Sequence, residues 1–174
     1  VTTKLSLSAK EIQQLRALIT NFSDDSVARL AKIEATTRHD VKAVEYFIRE
    51  ELEKLGRSDL GELVHFACTS EDINNLAYAR VISDGLNQVM LPKAKGLADK
   101  LREMAKQNAG VPMLSRTHGQ PATPTTLGKE LAVFVFRMER QLKRLQKQEI
   151  LGKFSGATGT YAAHLAAAPG VDWA

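Results

Sequence analysis

From Thr69 to about Asn108 the sequence can sustain one helix of roughly forty residues, which at 1.5 Å per residue would span about 60 Å. Only Pro92 interrupts the run. A proline inside a helix removes a hydrogen bond and crowds the preceding turn, so a kink or a division is expected there. A chain of 174 residues cannot enclose a rod of that length within a globule of its own. Long helices draw their stability from packing, so partner helices are expected from further sequence or from other subunits. A second long helix is expected after Thr123-Pro124, with threonine as cap and proline in the first helical position. It would carry Leu127, Leu131, Phe134, Met138, Leu142 and Leu145 along one face.

The N-terminal third also reads as helix. Ser8 and Glu11 form a capping-box pair that opens a helix running to about Asn21. A second helix is expected from Asp24 or Asp25, with Val27, Leu30 and Ile33 on one face. Asp40 can cap a third, whose stripe of Val41, Val44, Phe47, Ile48, Leu52 and Leu55 ends at Gly56. No apolar run alternates with period two, and the single Asp-Gly pair, Asp84-Gly85, lies inside a helical pattern, so no strand is expected. The expected fold is all-α: a small helical N-terminal domain over residues 1–66, then the first part of a central long-helix bundle domain over residues 67–174. The start at Val1 rather than Met and the ending AAAPGVDWA suggest a piece of a longer protein.

Composition narrows the function classes. One cysteine, Cys68, excludes an internal disulfide framework and any multi-cysteine metal site. Its apolar setting, with no activating base adjacent in sequence, marks it as packing. The formal charge of +4 is compatible with nucleic acid or small anions. However, the basic residues alternate with acidic ones in IREELEKLGR and RMERQLKRLQKQE, the pattern of a solvated helix face rather than a phosphate-tracking stripe. No apolar run reaches membrane-spanning length and no signal pattern opens the chain, so neither membrane nor nucleic acid is expected as a partner, and a cytoplasmic location is. The four histidines are widely spaced and form no i,i+4 pair, and no HExxH occurs, so no metal is expected.

Three polar segments break the helical rhythm: HFACTSEDINN, VPMLSRTHGQPATPTT and LGKFSGATGTYAAH. Thr69 and Ser70 stand before a long helix, where hydroxyls beside unpaired backbone N–H groups and the helix dipole make an anion site; an ordinary N-cap is the plainer reading. His118, flanked by Thr117, Gly119 and Gln120, is ill suited to core filling and can exchange a proton near neutral pH; an ordinary surface-loop histidine is an equal reading of the local sequence. His39 lies just before the helix at Asp40, while His65 and His164, among apolar neighbours, are consistent with partly buried structural histidines.

Together RHDVKAVEYF, TSEDINN and SRTHGQPATPTTLGKE closely resemble the adenylosuccinate lyase family, in its bacterial-type form, within the fumarase/aspartase superfamily. The likeness runs in order from about Asp24 to Trp173. It implies a cofactor-free and metal-free β-elimination that releases fumarate from adenylosuccinate, giving AMP, and from the succinylated carboxamide ribotide (SAICAR to AICAR) of purine synthesis. By resemblance His118 is the general acid, Arg38, His39, Asp40, His65, Thr69 and Ser70 bind substrate, and Thr117 and Gln120 neighbour it. The resemblance also implies a homotetramer whose active sites draw on three subunits. The family's serine base, on an SSxMPxKxNP-type loop, and its N-terminal Arg-Tyr nucleotide contact have no counterpart here, which implies that these 174 residues alone are inactive. Arg38 replaces an asparagine of close relatives, and Thr158 stands where valine is frequent. Two alternatives remain: a related fumarate-releasing enzyme (argininosuccinate lyase or fumarase), or a non-catalytic basic helical interaction module.

Overall fold

The computed structural model describes residues 7–173. Helices dominate: α1 (Ala9–Thr20), α2 (Asp24–Thr37), α3 (Asp40–Lys54), α4 (Ser70–Asp84), α5 (Leu91–Gln107), α6 (Leu127–Gln146) and the short α7 (Ala162–Ala167). A two-stranded antiparallel ribbon joins β1 (Pro112–Thr117) to β2 (Gln120–Thr126). The chain forms two compact units, one of residues 7–77 with 152–173 and one of residues 78–151.

In the first unit, helix boundaries follow local chemistry. Ser8 and Glu11 make the expected capping box, with the Ser8 N–H donating to Glu11 Oε2 at 2.7 Å. Ser23 caps α2, one residue ahead of the expected aspartates, and pairs reciprocally with Ser26. His39 rather than Asp40 caps α3, its ring nitrogen receiving the Lys42 N–H, while Asp40 becomes the first helical residue. Gly56 ends this segment at φ 72°, a conformation that costs glycine nothing. Ile33, Ala43 and Phe47 form the buried core, with Leu30 and Ile48 against it and the Phe22 ring edge-on to Phe47 at 6.2 Å. A 3-10 turn, Ser58–Leu63, leads from there toward α4.

Between α4 and α5 the regular α-helical ladder is interrupted just before Pro92, but the helix is not divided there. The helix stays continuous through a π-helical stretch, Gly85–Met90, in which the Leu91 N–H reaches back five residues to the Leu86 carbonyl. The widened turn just before Pro92 accommodates a residue that has no N–H to donate.

In the second unit α5 and α6 form an antiparallel pair. Buried residues recur seven apart on both helices: Leu91, Ala98 and Ala105 on α5, Gly128 and Val135 on α6. Gly128 is where the backbones meet. A Cβ there would lie 2.4 Å from the Ala105 carbonyl oxygen and 2.6 Å from Ala109 Cα. The stripe expected to bury on α6 is therefore displaced: Phe134 is exposed and its neighbour Val135 faces α5. Tyr78, Val81, Phe134 and Phe136, 56% to 70% exposed, leave broad apolar surface uncovered.

The ribbon corrects the expectation of no strand. Its two-residue loop, His118-Gly119, has φ of 50° and 75°, the sign pattern of a type I′ hairpin turn. Prolines 112, 121 and 124 fit because each strand of a two-stranded ribbon is an edge, where a missing N–H is tolerated. Consequently Thr123-Pro124 belongs to β2, and α6 begins later, at Leu127, capped by Thr126.

Candidate functional site

In the first unit, one end of α3 and the start of α4 bring several candidate residues together. Arg38 ends α2 in the left-handed conformation (φ 52°) and is exposed. The His39 Nε2 lies 3.4 Å from Ser70 Oγ. Its Nδ1 is 3.4 Å from the Lys42 N–H nitrogen and 3.2 Å from Asp40 Oδ1. A ring nitrogen can accept from the first only with a lone pair and donate to the second only with a proton, so cap and ion pair alternate with the tautomer. Asp40 is exposed, and its Oδ1 also accepts from the Val41 N–H at 2.7 Å.

Thr69 precedes the first turn of α4 as expected, but much of the motif's work falls to residues that sequence reasoning passed over. Asp72 is fully buried. Its carboxylate accepts from the Thr69 N–H at 2.9 Å, the Gly156 N–H at 3.0 Å, the Ser155 N–H at 3.2 Å and Lys153 Nζ at 2.7 Å. Burial pushes this carboxyl up, but Lys153 and the backbone donors outweigh it and hold it at about 2. One turn later Asn75 takes the Lys153 N–H at 2.7 Å and returns its amide to the Lys153 carbonyl at 3.0 Å. In TSEDINN, therefore, Asp72 and Asn75 clamp residues 153–156 to the helix. The N–H of Thr69 is consumed by that clamp, and the Thr69 and Ser70 hydroxyls flank a helix start, the kind of place where an anion can bind. Asp72 was legible as the closing residue of a capping-box pattern that Thr69 opens; Lys153, 81 positions away, had no local signal.

His65 sits near this helix start and is 25% exposed at its side chain. Its Nδ1 lies 3.0 Å from Oε2 of Glu45, a buried carboxylate on α3 that also contacts Lys42 Nζ at 2.8 Å and Arg49 Nη2 at 2.8 Å. Burial pushes the Glu45 carboxyl up, yet the hydrogen bond from Lys42 and the charges of Lys42, Arg49 and His65 bring it below the ordinary glutamate value. Glu45 too was overlooked, although lysine three residues before and arginine four after are ion-pair spacings. Cys68 is partly buried, its thiol raised by burial and then by the Asp72 charge, as fits a packing residue. His164 is buried among Phe66, Tyr161 and Trp173, as its apolar setting suggested.

In the second unit Thr117 pairs with Gln120 across the hairpin, and His118 occupies the turn, exposed. A non-glycine residue held at φ 50° is a strained choice, and such strain concentrates at functional positions. A groove in the first unit, about 810 Å³, is lined by apolar side chains such as Leu15, Phe22, Phe47 and Leu60 and contains none of the candidate residues. No group of three or more His, Cys, Asp or Glu among the described residues is arranged to hold a metal ion.

A family model described as "Lyase" matches residues 2–173. The chain belongs to this lyase family. It is 49% identical over 169 residues to adenylosuccinate lyase of Escherichia coli K12, a match covering 97% of this chain and 37% of that protein. Identity to adenylosuccinate lyase of Haemophilus influenzae is also 49%, over 160 residues, covering 91% of this chain and 35% of the relative. The chain thus spans little more than a third of the length of these lyases. Among solved structures, fumarate lyase from Mesorhizobium sp. BNC1 superposes with a TM-score of 0.73 over 90% of this chain and 36% of that one, at 24% identity. That likeness shows the lyase fold, mostly helical, with the ribbon as its small β element.

Proposed function

We propose that this chain supplies part of an adenylosuccinate lyase, which eliminates fumarate from adenylosuccinate and from the succinylated carboxamide ribotide. The observation that carries the reading is the 49% identity to adenylosuccinate lyases across 97% of the chain, with all three site motifs inside the matched span. In the elimination a base removes a proton from the carbon beside a carboxylate, the C–N bond breaks as the C=C bond forms, and an acid protonates the departing nitrogen. His118 is the acid in this proposal; its exposed place at a hairpin tip suits a group that must reach a leaving nitrogen. Thr69 and Ser70 hold a carboxylate or phosphate at the start of α4, with His39 beside Ser70, Arg38 and Asp40 flanking His39 in the chain, and His65 close in sequence. Thr117 and Gln120 flank the acid.

The base lies outside these residues, so the 174-residue chain alone is proposed to be inactive. Apolar surface left open on the long helices, at Tyr78, Val81, Phe134 and Phe136, supports assembly into a homotetramer. A cytoplasmic location accompanies this reading; no helix of the described residues is long and apolar enough to cross a membrane. The test is a substrate panel given to a full-length lyase carrying these residues. Fumarate released from both succinylated purine substrates, and not from argininosuccinate or malate, is the expected result. Preference for argininosuccinate or malate would move the chain to another branch of the superfamily, and no release from any would refute an elimination enzyme.

A further inference from the structure

Glu45 presents a puzzle of cost. Its residue is 3% exposed, and a carboxylate in such a place is expensive to desolvate, while an apolar side chain of similar volume usually serves stability as well. Three cationic or proton-bearing groups converge on it. Oε2 accepts from Lys42 Nζ at 2.8 Å and lies 3.0 Å from His65 Nδ1. Oε1 meets Arg49 Nη2 at 2.8 Å as an ion contact without hydrogen-bond alignment. Arg49 also bridges to Glu62 at 3.0 Å, so the segment leading to His65 is tied to the same helix. Six residues earlier on α3, about 9 Å along the axis, His39 contacts Ser70. One helix therefore touches the substrate-side segment at both His65 and Ser70.

We infer that Glu45 is a positioning residue for His65: its carboxylate fixes the imidazole with the proton on Nδ1 and leaves Nε2 as the only ring nitrogen that can meet a substrate. The reason is elementary. An ionised carboxylate only accepts, so the nitrogen 3.0 Å from it must be the donor, in the neutral ring and in the imidazolium alike. The hydrogen bond also sets the ring plane, and Lys42 and Arg49 keep the carboxylate charged when His65 is neutral. The inference rests on the proposed function only in taking His65 as a residue that meets substrate.

Two readouts separate the two claims. Long-range 1H–15N correlation spectra of the chain, recorded at alkaline pH where an imidazole is neutral, should show His65 as the Nδ1–H tautomer. Glu45→Gln, whose amide can either donate or accept, should shift it toward the Nε2–H form that free histidine prefers. A wild-type His65 in the Nε2–H form, or a tautomer unmoved by Glu45→Gln, would overturn the inference, and the wild-type spectrum decides even where the variant fails to fold. In a full-length lyase carrying these residues, Glu45→Gln should raise KM for adenylosuccinate by about tenfold to a hundredfold, with kcat changed less. Adding it to His65→Ala should then cost nothing further, and fully additive losses would contradict the coupling. A lyase that releases no fumarate at all would refute the proposed function and leave the tautomer to the spectrum.

Discussion

Replacing Asp72 with asparagine should cost the chain stability at neutral pH and flatten its response to acid. The carboxylate is fully buried and serves four donors, so the substitution removes a charge that Lys153 and three backbone N–H groups were arranged around. Breaking a buried pair by changing one partner typically costs about 3 to 5 kcal/mol. Lys153 is 41% exposed and can rehydrate, which places the expected loss near the lower end. The acid response follows from linkage. Asp72 is held at about 2 against an ordinary value of 3.8, a depressed carboxyl. Its contribution is fully present above the unfolded-state value and disappears as pH falls through that value toward about 2. The gap amounts to on the order of 2 kcal/mol. Denaturant unfolding of wild type and Asp72→Asn, followed by circular dichroism from pH 6 to pH 2, reads this directly. Wild type should lose about 2 kcal/mol more than the variant over that range. Parallel pH profiles, with equal midpoints at pH 6, would refute the clamp.

Three further outcomes follow from the geometry. Gly128→Ala places a methyl against the Ala105 carbonyl and the Ala109 backbone, which cannot rotate away; the α5–α6 pair should loosen, with a loss of about 3 kcal/mol or more in thermal unfolding. His118→Gly relieves a left-handed imidazole position, so the fold should hold or gain about 1 kcal/mol by the same measurement while fumarate release collapses. Because burial and then Asp72 raise the Cys68 thiol, its alkylation at neutral pH should run slower than that of a free cysteine and quicken in Asp72→Asn.

The helices and their caps were legible because each carries its signal locally: Ser8 with Glu11, Gly56 at a helix end, and a run of helix-compatible residues from Thr69 with Pro92 as its one proline. Pro92 announced a missing hydrogen bond but not the π-helical turn that absorbs it. The hairpin was hidden by three prolines and by a His-Gly turn that lacks the usual Asn or Asp; Gly119 was its one local clue. The site motifs were found, but their division of labour was not. Asp72 and Asn75 face residues 153–156, and Glu45 faces His65, across separations that no periodicity encodes. Thr158 lies exposed, its hydroxyl 2.8 Å from that of Thr160.

His118 is proposed to supply the proton to the departing nitrogen. Fumarate release from adenylosuccinate should be measured in a full-length lyase carrying these residues, with and without His118→Ala, after confirming that both assemble alike. A fall of about a hundredfold or more in kcat, with binding of adenylosuccinate retained, is the predicted result. A variant that turns over at the parent's rate would contradict the assignment and remove His118 from the chemistry.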